Sequence, residues 1–258
     1  MSVVLAAGGN GFVAPGPADF EFPPVFGFVT KPMLIVVLGA IVIAAFFYAA
    51  ARNPRLVPGK AQFIGEEIYG FVRNGIARDT IGAKEGMKYV PYLVTLFVFI
   101  SVLNLTGIIP PILFPANSRI AFPLVLALIS WAIFNYIGIR RQGFVGYFKN
   151  MMFPPGIPWP VYILLSPIEF LSTVIIRPVT LTLRLTLNMF AGHLVLMLCM
   201  FGGAYLLSQG GLLAVASIIP FLFAIVLTFF EGFVQLLQAY VFTLLSALYI
   251  AGAESEEH

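Results

Sequence analysis

Apolar positions along this chain come in runs of two lengths, and the difference predicts the architecture. Runs of about 20 residues, enough to cross a hydrocarbon core of ~30 Å once, occupy positions 33–51, 89–113 and 120–139. Two longer runs, 168–207 and 212–251, would form helices about 60 Å long, roughly twice that thickness. Each must either break, at Pro178 and Pro220, or lie steeply tilted. Ser208-Gln209-Gly210-Gly211 is the strong turn signal between them and predicts an antiparallel hairpin. Residues 60–83 have a different period. Phe63, Ile64, Ile68, Phe71, Val72 and Ile76 recur at helical spacing, while Glu66, Glu67, Arg73, Asn74 and Arg78 fall mostly elsewhere. That pattern belongs to an amphipathic helix lying on a membrane surface.

The expected fold is therefore an all-α polytopic membrane protein. It has three conventional spans, one cytoplasmic amphipathic surface helix and a C-terminal hairpin of two long tilted helices. Residues 1–30, rich in Gly, Pro and Phe, read as an extramembrane lead-in, and 31–258 as a single membrane domain. Pro110, Pro111 and Pro115 end the second span, and Pro154, Pro155, Pro158 and Pro160 mark an interfacial stretch before the hairpin.

Composition removes the alternatives to a membrane. Of 258 residues 60% are hydrophobic and 10% charged, and the mean hydropathy is +0.99, too little polar surface for a soluble fold. The net charge of +3 gives no case for nucleic acid. The basic residues mark topology instead. Arg52, Arg55 and Lys60 follow the first span, and Arg140 and Arg141 stop the third. The positive-inside rule puts both flanks in the cytoplasm and the N-terminus outside. The lone Cys199 excludes an internal disulfide, and the first apolar run, Val3 to Ala7, is too short for a cleavable signal. A bacterial plasma membrane is the expected location. No Gly-rich phosphate loop is present, so no nucleotide is expected on this chain, nor a metal or other cofactor.

Charge is scarce where it matters most. Between Asn150 and Ile250 only Glu169, Arg177, Arg184 and Glu231 are formally charged. An arginine at mid-membrane costs roughly 2.5–3.5 kcal/mol on translocon scales and always stays protonated, which makes Arg184 a candidate ion-path residue. Arg177 reads as a snorkelling residue at the cytoplasmic edge. In a hairpin centred on Gly211, Arg184 would lie level with Gln238, and His193 close to Glu231. At 100° per residue, Arg177, Thr180, Arg184 and Asn188 form one polar stripe and Glu231, Gln235 and Gln238 another. His193 points nearly opposite to Arg184, so two environments are expected: Arg184 facing a partner, and His193 with Glu231 facing an aqueous pocket. Asn104 and Asn135 read first as interhelical hydrogen-bonding residues.

At these residues the chain resembles the a subunits of rotary F-type ATP synthases. The resemblance is carried by Arg177-Pro178-Val179-Thr180-Leu181-Thr182-Leu183-Arg184-Leu185, Asn188-Met189-Phe190-Ala191-Gly192-His193 and Leu237-Gln238-Ala239-Tyr240-Val241-Phe242. Asn104-Leu105-Thr106-Gly107-Ile108-Ile109-Pro110 and the acidic tail from Glu254 fit as well. It implies a stator with two offset half-channels beside a rotating ring of c subunits, each with one carboxylate. The partners it implies are that ring, the b-subunit peripheral stalk and the rest of the complex. Arg184 would be the essential arginine facing the rotor carboxylate, and a nearby cation does favour an ionised carboxylate. Gln238 would accompany it, with Asn188 and Gln235 along the path. His193 and Glu231 would form an acid–histidine pair of the outer half-channel with Asn104 beside it, and Glu169 would belong to the inner one. Leu187 departs from the family, which usually has Gly or Ala there. A stand-alone secondary transporter is the rival reading. It would show an internal repeat with paired broken helices, and no such repeat is visible.

Overall fold

The structure, a computed structural model, describes Gly16 and residues 30–52, 55–108, 116–152 and 159–254. Apart from Gly16 and Thr30, the expected lead-in lies outside these residues. So do Pro110, Pro111, Pro115, Pro154, Pro155, Pro158 and the tail from Ser255. Over the described residues the chain is helical and contains no strand.

Helix α1 (Lys31–Arg52) is apolar throughout and buries only Pro32, Ile35 and Gly39. That spacing is a single edge of a helix, so α1 touches the bundle along one line and exposes the rest. Helix α2 (Lys60–Val72) continues through a π-helical stretch, Arg73–Arg78, and the backbone turns at Gly82, where φ is 113°. Its apolar face divides in two. Val72, Ile76 and Ala77 pack against Val90, Leu93 and Val94 of α3, while Phe63, Ile64 and Phe71 stay exposed.

Helix α3 covers Val90–Leu105, less than the expected 89–113. Its end is closed locally: Thr106 Oγ1 donates to Leu103 O at 2.6 Å, and Gly107 N to Asn104 O at 3.0 Å. These tight bonds satisfy carbonyls that a helix end would otherwise leave open. Helix α4 (Ala121–Gln142) ends in Arg140 and Arg141, and Gly143, at φ 74°, turns the chain into the short α5 (Phe144–Met152).

The first long segment begins earlier than expected and does not break at Pro178. Helix α6 (Trp159–Leu171), a π-helical stretch Ser172–Ile176 and α7 (Arg177–Gln209) follow one another without interruption. A proline ring clashes with the carbonyl four residues back. For Pro178 that residue is Val174, inside the π-helical stretch, where the wider turn makes room. The chain reverses at Gly210 and Gly211, with φ of 71° and 57°. Helix α8 (Gly211–Ala216) follows, a break at Ser217, then α9 (Ile218–Glu254). Pro220 sits in the first turn of α9, where a missing N–H costs nothing. The expected break is therefore three residues earlier, at Ser217.

α7 and α9 run along each other and close against α3 and α4. Leu181, Leu185 and Met189 of α7 meet Leu96 and Ile100 of α3, Ala127 of α4, and Ala239 and Phe242 of α9 in one buried cluster. The spacing of the α7 contributors fixes which side of that helix looks outward.

Candidate ion-path site

Because Leu181, Thr182, Leu185, Thr186 and Met189 are buried, the remaining positions of this stretch face away from the core. Leu183, Arg184, Leu187 and Asn188 are exposed on the outside of the bundle. Arg184 makes no hydrogen bond or ion pair with any described residue. An unpaired guanidinium on an otherwise apolar helix face is costly in lipid and reasonable against a polar partner. Leu187, the departure from the family pattern, is 54% exposed on the same stripe.

Gln238 is not level with Arg184. Its Oε1 accepts a hydrogen bond at 2.7 Å from Nδ2 of Asn188, one turn further along α7. The hairpin register is therefore displaced from one centred on Gly211. Gln238 is 4% exposed, and its Nε2 has no partner. The pair links the exposed stripe of Arg184 to the buried stripe of α9.

Behind it lies the second environment. His193 Nδ1 stands 3.8 Å from Glu231 Oε1, and both residues are buried. Gly192 permits the approach, since a Cβ there would already meet Glu231 Oε1 at 3.4 Å. Gln235 Nε2 donates to the same carboxylate oxygen at 3.3 Å. The backbone carbonyl of Gln235 accepts from Asn104 Nδ2 at 3.1 Å, and Asn104 Oδ1 accepts from Asn117 Nδ2 at 2.7 Å. Polar side chains thus run from the 116–118 turn through α3 and α9 to α7. Glu231 Oε2, Gln235 Oε1 and Asn117 Oδ1 are buried without a hydrogen-bond partner. Buried polar atoms are rarely left this way in a purely structural network.

Two expected residues behave differently. Glu169, half-buried on α6, makes no hydrogen bond or ion pair with the described residues and stands apart from this chain of contacts. Arg177 is held against two rings. Its Cζ lies 5.0 Å from the Tyr249 ring and 5.9 Å from that of Phe134, a cation–π clasp between α9 and α4. Asn135 donates to Trp131 O within its own helix and accepts from the Tyr147 hydroxyl at 2.9 Å, which ties α4 to α5.

Sequence reasoning missed Asn117. It stands just after a Pro-rich turn and carries no periodic signal, yet it is fully buried. Among the described residues no cluster of three or more His, Cys, Asp or Glu side chains could hold a metal.

Comparison with known proteins bears on this geometry. The family model described as ATP synthase A chain matches residues 33–251. An ATP synthase subunit a of a Nocardioides species is 48% identical, covering 100% of this chain and 98% of that protein. The Streptomyces lividans subunit a is 47% identical over 97% of this chain and 90% of its own length. The subunit a of Pseudarthrobacter chlorophenolicus is 44% identical over 98% and 97%. With a family match over nearly its whole described membrane region and relatives this similar along their full length, this chain belongs to the ATP synthase A chain family.

Proposed function

We propose that this chain is the proton-translocating stator subunit of an F-type ATP synthase and presents Arg184 to the carboxylates of a rotating c ring. The observation that carries the reading is the exposed, unpartnered guanidinium of Arg184 on an apolar helix face, one turn from the Asn188–Gln238 pair. A fixed cation there favours the ionised form of a rotor carboxylate as it passes. The same charge repels a proton that would cross directly from one half-channel to the other. His193, Glu231, Gln235 and Asn104 are the residues we assign to the outer half-channel, with Asn117 added to them. Glu169 is assigned to the inner half-channel, on its place near the other end of the α6–α7 rod. Leu187 would lie against the rotor. The b-subunit stalk is the expected static partner, the N-terminus faces outward and the C-terminus the cytoplasm. ATP chemistry belongs to other subunits. The driving force enters as roughly 2.3 kcal/mol per charge per 100 mV.

The test is ATP-driven acidification of membrane vesicles carrying Arg184→Ala, with assembly of the complex measured in parallel. Loss of pumping in an assembled complex is the expected result. Wild-type pumping would overturn the assignment.

A further inference from the structure

At the basic ends of α3 and α4 lies a cavity of about 650 Å³, lined by Lys88, Tyr89, Ile133, Tyr136, Ile137, Arg140 and Arg141. Its volume falls in the roughly 300–1,000 Å³ range of small-ligand sites. None of its lining residues belongs to the ion path described above. The lining is ordered along α4. Ile133, Tyr136 and Ile137 come first, and Arg140 and Arg141 follow on the same face, one turn nearer the helix end. An apolar wall that gives way to cations over one helical turn has the layout of a phospholipid, chains first and headgroup last.

The charge balance favours an anion. Among the described residues, Lys88 and Arg141 meet the carboxylates of Glu85 and Glu254. Glu85 Oε2 lies 3.0 Å from Arg141 Nη2 and also pairs with Lys88, and Glu254 pairs with Arg141 on its other side. Glu254 additionally accepts from the Tyr89 hydroxyl at 2.6 Å. Arg140 remains: it is exposed and makes no hydrogen bond or ion pair with any described residue. Tyr136, 63% exposed, lines the same cavity one turn before it on α4. An arginine next to a pair of neutralised cations is suited to a phosphate diester, and basic pockets between membrane helices are recognised sites for such headgroups.

We propose that this cavity binds one anionic phospholipid, with the phosphate on Arg140 and Lys88 and an acyl chain along Ile133 and Ile137. A free phosphate would use the cations and leave the apolar wall unused, which is why the lipid is preferred. The proposal depends on the chain crossing a membrane and is independent of the role given to Arg184.

The probe is a photoactivatable phosphatidylglycerol added to the assembled, detergent-solubilised complex, with crosslinked peptides mapped on α4. Crosslinking is expected within residues 131–142 and should be competed by phosphatidylglycerol but not by phosphatidylcholine. Arg140→Gln should weaken it about fivefold per assembled complex, since one surface cation is worth about 1 kcal/mol towards an anionic lipid. Arg52→Gln, at the basic end of α1 and outside the cavity, should leave it unchanged. Equal losses in the two variants would overturn the site as general surface charge. Competition by inorganic phosphate as effective as that by lipid would replace it with a free-anion site. Capture of another subunit instead of lipid by a photocrosslinker placed at Tyr136 would show the cavity to be a protein interface, which also overturns the proposal.

Discussion

His193 Nδ1 and Glu231 Oε1 face each other at 3.8 Å across the α7–α9 hairpin, too far for a direct hydrogen bond. A purely structural pair would be expected to close to hydrogen-bonding distance. The carboxylate accepts from Gln235, and Asn104 stands behind it, so acid and imidazole are the two titratable groups of one buried polar chain.

Glu231→Gln should therefore slow proton flow. The carbonyl of the new side chain can still accept from Gln235, so packing is kept while the titrating group is lost. A positioned proton carrier typically contributes about 100-fold or more, and a loss of that order is expected in ATP-driven pumping by assembled complexes. Glu231→Asp should restore a substantial part. Unchanged pumping in Glu231→Gln would reduce the pair to packing.

Gln238 and Asn188 give a second prediction. Gln238→Leu removes the acceptor of the Asn188 amide beside Arg184, a hydrogen bond worth about 0.5–1.5 kcal/mol. Pumping should fall about tenfold, the equivalent of ~1.4 kcal/mol on the barrier. Asn188→Ala should lose a similar amount, and the double variant should lose little more than either single one, because the two share one hydrogen bond. Additive losses would mean that Gln238 acts independently of Asn188.

How much of this was legible in the sequence depended on the kind of signal. Arg184 stood out because charge is rare across 150–250, and its face was legible from the polar stripe it shares with Arg177, Thr180 and Asn188. The long hairpin was legible from apolar length and from Gly210-Gly211, whose positive φ values close the turn. The register was not. Gln238 meets Asn188 where a turn centred on Gly211 would place it level with Arg184, and the break at Ser217 carries no strong sequence mark. Pro178 misled for a local reason, since the π-helical stretch that accommodates it leaves no signature in Ser172-Thr173-Val174-Ile175-Ile176. Asn117 was invisible because its burial is decided by the packing of the 116–118 turn against α7, α1, α3 and α4.

Gly138 tests the contact between α4 and α5. A Cβ at this position would lie 2.3 Å from Cε2 and 2.5 Å from Cδ2 of the Tyr147 ring. Gly138→Ala must therefore displace the ring and with it the hydroxyl's bond to Asn135. Overpacking of this kind costs typically 1–3 kcal/mol, so the assembled complex should lose thermal stability. Adding Tyr147→Leu should recover part of that loss, because the smaller side chain clears the clash. A Gly138→Ala complex that melts like wild type would show that α5 moves away freely.

Tyr89 supplies a pH-dependent prediction at the basic edge of the bundle. Burial and its bond to Glu254 raise its pKa from 10.0 to about 12. A pKa raised on folding means that the neutral hydroxyl stabilises the folded form fully below pH ~10, and that this contribution is lost as pH rises towards 12. Glu85 acts in the opposite sense. Its pKa is lowered, first by its hydrogen bond with Lys88, so its contribution holds above the ordinary carboxylate range and fades as the solution is acidified through its folded pKa. Between these limits the Tyr89–Glu254 bond should hold the last turn of α9. Tyr89→Phe should speed amide hydrogen exchange over residues 250–254 about fivefold at neutral pH, the effect of losing one hydrogen bond of ~1 kcal/mol. The tyrosinate absorbance difference between wild type and Tyr89→Phe should show one hydroxyl titrating near pH 12. A hydroxyl that titrates near pH 10, or exchange that Tyr89→Phe leaves unchanged, would mean that the C-terminal end of α9 is held without it.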